Sequence, residues 1–144
     1  MSIDPVPAYA GLRGARGAQV FNQTAFRHFL AFELTRARRR QRCLFLVLVA
    51  LRERPGRSAI LRETATAAIF GGLCASAREV DFVGWFREAH VAAAVMVQGS
   101  QTPEPAATEQ VAARARKAIE TRLPAALAAR LRVRVVRLGT LLND

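Results

Sequence analysis

The sequence predicts an α+β domain: a four-stranded antiparallel sheet built in the order βαββαβ, preceded by one additional helix. Three observations carry this. A continuous apolar run at 43–51, rich in branched residues, has the composition of a central strand buried on both faces. Two further apolar segments, 80–86 and 91–97, flank the short stretch Arg87-Glu88-Ala89-His90 and read as a hairpin. Helical periodicity fills the intervals on either side of that hairpin, and the strictly alternating segment Leu131-Arg132-Val133-Arg134-Val135 supplies the last strand.

Each element has its own signal. Residues 1–19 carry Pro5, Pro7, Gly11, Gly14 and Gly17 and no apolar period, so they read as a flexible arm ahead of a single domain at 20–144. Asn22 is placed to cap a helix over 22–40, with Thr24 as the second candidate. Phe26, Leu30, Leu34 and Ala37 recur at helical spacing, Phe29 and Phe32 widen the apolar face, and Glu33 is spaced to pair with Arg36. The helix is expected to end among Arg36, Arg38, Arg39, Arg40 and Arg42, where cations suit the negative end of its dipole. Pro55-Gly56 marks a turn between 52 and 58. A second helix is expected over 59–77, with Ile69, Leu73 and Ala77 stacked beside Phe70. Gly71 and Gly72 inside it each weaken it by about 1 kcal/mol against alanine. A third helix, 105–123, places Val111, Ala115, Ile119 and Leu123 on one face before Pro124 interrupts it, and a strand follows at 132–138. This is the ferredoxin-like order. Two right-handed crossovers put both crossover helices on one face of the sheet, with the first strand and the second or third at its centre.

Composition narrows the function classes. A chain of 144 residues is one domain by size. Its longest apolar run is nine residues, against the roughly 20 a membrane-spanning helix needs, so no transmembrane segment is expected. The N-terminus lacks a basic patch followed by an apolar stretch, so no secretion signal is expected either. Cys43 and Cys74 lie inside apolar patterns, and His28 and His90 stand alone. They read as buried thiols of a cytoplasmic protein and isolated histidines, with no ligand set for a metal and no cofactor motif. The net charge is +11, and of 22 basic residues all but Lys117 are arginine. Arginine and alanine have GC-rich codons, so a GC-rich bacterial genome accounts for part of this bias. The charge still predicts attraction to polyanions, phosphates or an acidic partner.

Several segments, in order, resemble the GGDEF domain of diguanylate cyclases. Val20-Phe21-Asn22-Gln23-Thr24-Ala25-Phe26 is similar to the family's entry motif Leu-Tyr-Asn-Arg-Arg-x-Phe, and Glu33-Leu34-Thr35-Arg36-Ala37-Arg38-Arg39 to its first helix. Arg78-Glu79-Val80-Asp81-Phe82-Val83-Gly84-Trp85-Phe86 resembles the stretch before the signature, and Val135-Val136-Arg137-Leu138-Gly139 the closing strand. The signature itself falls on Arg87-Glu88-Ala89-His90-Val91. Its two glycines, which let the backbone take positive φ and approach a triphosphate, are replaced. Its metal-binding acidic residue falls at Ala89, and the second metal carboxylate is expected near Ala50, with Glu53 the nearest carboxylate. Two-metal phosphoryl chemistry needs those carboxylates to hold magnesium. The resemblance therefore implies a degenerate, non-catalytic GGDEF domain acting as a regulatory or adaptor protein in cyclic di-GMP-linked processes such as exopolysaccharide production or motility.

Within that resemblance, Arg78 and Asp81 match the family's Arg-x-x-Asp inhibitory motif, which binds cyclic di-GMP. Arginine offers a bidentate fork for phosphate or a guanine edge, and aspartate accepts from a guanine N–H edge. Helix capping by Arg78 and a turn role for Asp81 explain the same residues structurally. The arginine cluster Arg36, Arg38, Arg39, Arg40 and Arg42 is either a solvated helix end or a contact surface for an acidic protein partner, for phosphates or for a membrane surface. Homo- and hetero-oligomers are both compatible with it. The alternative function is a basic nucleic-acid-binding module. A four-stranded sheet of this type also serves RNA recognition, but only with aromatics exposed on its strands. The strands here offer Phe45, Phe82, Trp85 and Phe86, and Trp85 lies on the side opposite Phe82 and Phe86, either outward or packed. His90 has no catalytic partner at a meaningful spacing, apart from Glu88.

Overall fold

A computed structural model describes residues 20–54, 57–76, 80–97 and 106–138. The chain forms β1 (Val20–Phe21), α1 (Gln23–Arg39), β2 (Leu44–Arg54), β3 (Arg57–Ser58), α2 (Glu63–Ser76), β4 (Val80–Arg87), β5 (Val91–Val97), α3 (Ala107–Glu120), α4 (Ala125–Ala128) and β6 (Leu131–Leu138). The four long strands lie side by side as β6-β2-β5-β4, every neighbouring pair antiparallel. With β2 and β5 at the centre, this is the expected α+β, ferredoxin-like sheet.

Two short strands enlarge it to six. β1 runs parallel to β4, with Val20 opposite Val83, and β3 folds back on the end of β2. Neither is visible in periodicity, because two residues carry none. Their presence corrects two boundaries. β2 extends to Arg54, past the 51 expected, because Arg52 and Arg54 pair with Ser58 and Arg57 of β3. α2 begins at Glu63, not 59, because the preceding backbone is bonded elsewhere: Ala59 N donates to Leu51 O (2.8 Å) and Leu61 N to Ala89 O (2.7 Å). Residues 1–19 and Pro55-Gly56 lie outside the described residues, as do Ala77 and Gly139.

Alternation along β2 divides its side chains between two cores. Phe45, Val47, Val49 and Leu51 join Ile69, Phe70 and Leu73 of α2 and Ala115 and Ile119 of α3. Trp85 belongs to this layer: it is fully buried and stands edge-on to Phe70 with ring centroids 5.1 Å apart. Of its two sequence readings, the packed one holds. On the opposite face Leu44, Leu46 and Val95 meet Phe26 and Ala37 of α1, with Leu30 and Leu34 partly buried beside them. Phe32, expected to widen the apolar stripe of α1, is 58% exposed; it falls on the side of the helix turned from the sheet.

Glycines fix two close approaches. A Cβ on Gly72 would stand 2.8 Å from Ile119 Cα, so α2 and α3 touch backbone to backbone there. A Cβ on Gly84 would stand 2.6 Å from Phe21 O and 2.9 Å from Phe26 Cδ1, so its absence lets β1 and α1 settle on β4. Among the described residues, no helix is long and apolar enough to cross a membrane.

Candidate functional site

The arginine cluster is assembled by the way α1 ends. Asn22 Oδ1 accepts from Ala25 N (2.8 Å), starting the helix where the sequence places its cap. At the other end Arg42 N donates to Ala37 O (2.8 Å) and Gln41 N to Arg38 O (3.2 Å), with Gln41 at φ 54°. This is a Schellman closure with glutamine in the left-handed position that glycine usually fills. It turns the chain directly into β2 and leaves Arg36, Arg38, Arg39, Arg40 and Arg42 exposed around one helix end. Arg36 pairs with Glu33 at 2.9 Å, as its spacing indicates. Among the described residues no ion pair engages the other four.

The Arg-x-x-Asp pair is placed less fully. Arg78 lies outside the described residues. Asp81 sits at the start of β4, where the register against β5 shifts between Val80 and Phe82.

The hairpin between β4 and β5 is tied to α1. Glu88 Oε1 accepts from Gln23 N (3.0 Å), and Gln23 Oε1 accepts from Glu88 N (2.6 Å). The hairpin carboxylate is thereby held at the positive end of the α1 dipole. Arg27 adds a bond from Nε to Phe86 O (2.8 Å) and lies over the Phe86 ring at 4.4 Å. The turn takes a positive φ without a glycine: Ala89 has φ 64°. Ala89 O accepts from Leu61 N, which anchors the turn to the segment before α2. His90 is half-buried and its Nδ1 has no hydrogen-bond partner among the described residues.

Two hollows flank this end of the sheet. One, about 460 Å³, lies on the α2 side between Glu53, Ile60, Arg62, Thr64, Leu127 and Arg130. The other, about 480 Å³, lies along β2, β3 and β6 and takes in Leu48, Ala50, Val91, Arg57, Arg132 and Arg134. Ala50 and Glu53 thus open onto different hollows. Among the described residues no three His, Cys, Asp or Glu side chains come close enough to share a metal ion.

Among the described residues, no aromatic ring is offered by the strands as an open stacking surface. Phe45 and Trp85 are buried beneath the crossover helices, and Phe82 and Phe86 are partly buried in the layer under α1. Cys43 and Cys74 are buried thiols; burial pushes the Cys43 thiol above its ordinary range, partly offset by the Arg137 charge.

No sequence-family profile matches the chain, and no curated protein does. Among solved structures, the chain is similar to the crystal structure of a DGC protein from Thermotoga maritima. The match has a TM-score of 0.59 at 17% identity, and covers 83% of this chain and 81% of that one. This likeness supports a GGDEF-like fold and agrees with the segments that resemble that domain in sequence.

Proposed function

We propose that this protein is a non-catalytic GGDEF-like regulatory module that works in cyclic di-GMP-linked signalling through contacts with a protein partner. The observation that carries this reading is the donor set at the hairpin end of the sheet. Cyclase chemistry implies magnesium held by two carboxylates. The positions where the resemblance puts them hold Ala50 and Ala89, whose methyl groups ligate nothing. The two neighbouring carboxylates do not substitute. Glu88 is bonded to the α1 N-terminus, and Glu53 lines the hollow on the other side from Ala50. These residues do not fit a magnesium–triphosphate pair.

The contact surface in this reading is the exposed arginine end of α1, which suits an acidic partner. A second mode within the same role is recognition of cyclic di-GMP by Arg78 and Asp81. The nucleic-acid alternative has the net charge of +11 in its favour, and the covered strand aromatics against it. Purified protein incubated with GTP and either magnesium or manganese is expected to yield no cyclic di-GMP. Turnover that co-purifies with the chain overturns the non-catalytic reading. Calorimetric titration separates the remaining modes. Saturable cyclic di-GMP binding that Arg78→Ala weakens about ten- to a hundredfold supports the ligand mode, whereas steeply salt-dependent binding to a short RNA supports the alternative.

A further inference from the structure

The sheet ends differently at its two sides. The outer edge of β4 is partly covered by β1, which pairs with it in parallel through Val20 and Phe21. At the other side β6 pairs, among the described residues, with β2 alone. Its eight residues keep one unbroken register, from Leu138 opposite Leu44 to Leu131 opposite Leu51, with no proline and no bulge. Edge strands of native proteins are usually short, bulged or covered, because their free backbone groups invite another strand. The direction of those groups is read at the start of β6. Arg130 O accepts from Arg52 N (2.8 Å) and points to β2, whereas Leu131 O accepts from Arg116 Nη2 of α3 (2.9 Å) and points away. Backbone groups alternate along a strand, so Val133, Val135 and Arg137 turn their N–H and C=O outward, beyond the carbonyl that Arg116 caps. The charge along this edge is of one sign. Arg132, Arg134 and Arg137 are exposed, β6 holds no acidic residue, and among the described residues no ion pair engages these arginines.

We infer that the free edge of β6 takes up an extended acidic segment of a partner protein as an added strand. Main-chain hydrogen bonds supply the attachment, and side chains at alternate positions supply the choice of partner. Arg132 and Arg134 lie opposite Ala50 and Leu48 and share one face, while Arg137 lies opposite Phe45 and belongs to the other. Val133 and Val135 are partly buried on the crossover-helix side, and Val136 and Leu138 on the α1 side. An antiparallel segment read from its N-terminus meets, in turn, Leu138, Arg137, Val136, Val135, Arg134, Val133 and Arg132. Its matching pattern is apolar, acidic, apolar, apolar, acidic, apolar, acidic. Cross-strand pairs of opposite charge and pairs of apolar side chains both favour this register. A second copy of this chain is a poorer occupant, because it brings three more arginines to the same edge. The surface is separate from the arginine end of α1 and does not rest on what that end contacts.

The test is fluorescence anisotropy of a labelled synthetic peptide, Val-Glu-Val-Val-Glu-Val-Glu, titrated with the full chain. Saturable binding is expected. The same residues in scrambled order should bind at least about tenfold more weakly, and so should the peptide N-methylated at its second, fourth and sixth residues, whose N–H groups face β6. N-methylation at the first, third and fifth residues, which face away, should leave binding in place. Val135→Pro removes an outward N–H, a change an edge strand tolerates, and should abolish binding with the fold retained; should that variant not fold, the N-methylated peptides still decide. Arg132→Ala/Arg134→Ala should weaken binding at least about threefold. Arg114→Ala/Arg122→Ala removes the same charge from exposed positions off the strand and should leave binding within about twofold of the parent. The inference is overturned by the absence of saturable binding. Equal binding of the scrambled peptide, or an equal loss in both double variants, also overturns it by reducing the effect to net charge. Full binding of the peptide methylated on its β6-facing side, or by folded Val135→Pro, places the peptide elsewhere. Sedimentation of the parent as a dimer that Val135→Pro turns into a monomer gives the edge to a second copy and overturns it as well.

Discussion

Replacing Gly72 by alanine tests the packing that holds the sheet's crossover layer together. By helix propensity alone the change should stabilise α2 by about 1 kcal/mol. The structure reverses the sign. The added methyl would lie 2.5 Å from Ile119 Cγ1, 2.8 Å from its Cα and 2.9 Å from its N, where ordinary contact begins near 3.4 Å. The side-chain atom can rotate away, but the two backbone atoms cannot, so α3 must move off α2 by about half an ångström. Ile119 is fully buried, so that motion loosens its contacts with the sheet. Overpacking of this kind costs about 1–3 kcal/mol, with the upper end fitting a backbone clash. After the propensity gain, a net loss of about 2 kcal/mol remains. Gly71 is the internal control. A methyl there meets Arg122 Nε at 3.5 Å, an ordinary contact with a flexible side chain, so Gly71→Ala should gain about 0.5–1 kcal/mol. Urea unfolding of the two single variants beside the parent reads the difference, near 3 kcal/mol between adjacent positions. If Gly72→Ala proves as stable as Gly71→Ala, the close approach of α2 and α3 is wrong.

Other expectations follow from the same physical reasoning. Gln41 and Ala89 occupy left-handed backbone at φ 54° and 64°, which costs a non-glycine residue about 1–2 kcal/mol. Gln41→Gly and Ala89→Gly should each raise stability by about 0.5–1 kcal/mol after the glycine's extra unfolded-state entropy, read as a higher urea midpoint; a lower midpoint in either would contradict the turn geometry. The Cys43 thiol has its pKa raised above 9.0 by burial, so the folded chain holds this proton more tightly than the unfolded one. Its contribution is fully present below about pH 9 and is lost as pH rises through the folded value. The stability gap between the parent and Cys43→Ala should accordingly narrow above pH 9 in urea titrations, and a gap that widens there would refute the assignment.

Local chemistry made most of the architecture legible in the residues themselves. The nine-residue apolar run at 43–51 cannot be solvated on either side, so it had to become a central strand, and it did as β2. Asn22 capped α1, Glu33 met Arg36, and Val111, Ala115, Ile119 and Leu123 turned inward or partly inward, because each depends on neighbours within a turn or two. The arginine end of α1 was legible for the same reason. What lay beyond reading was long-range. β1 and β3 exist only because β4 and the end of β2 offer unpaired edges. Trp85 was settled as core by the position of Phe70. Gly72, read as a weak point, proved to be where two helices touch. The engagement of Glu88 by Gln23 spans 65 positions, and nothing in either residue announces it. Arg57 stands far in sequence from Arg132 and Arg134, and a strictly alternating strand reads the same whether its polar face meets water or lines a hollow. Residue type and spacing determine which segments form strands and helices and where the charge accumulates. Which of those charges share one concavity, and which carboxylates are already bound, is set by strand register and helix docking, because those alone bring distant side chains within hydrogen-bond range.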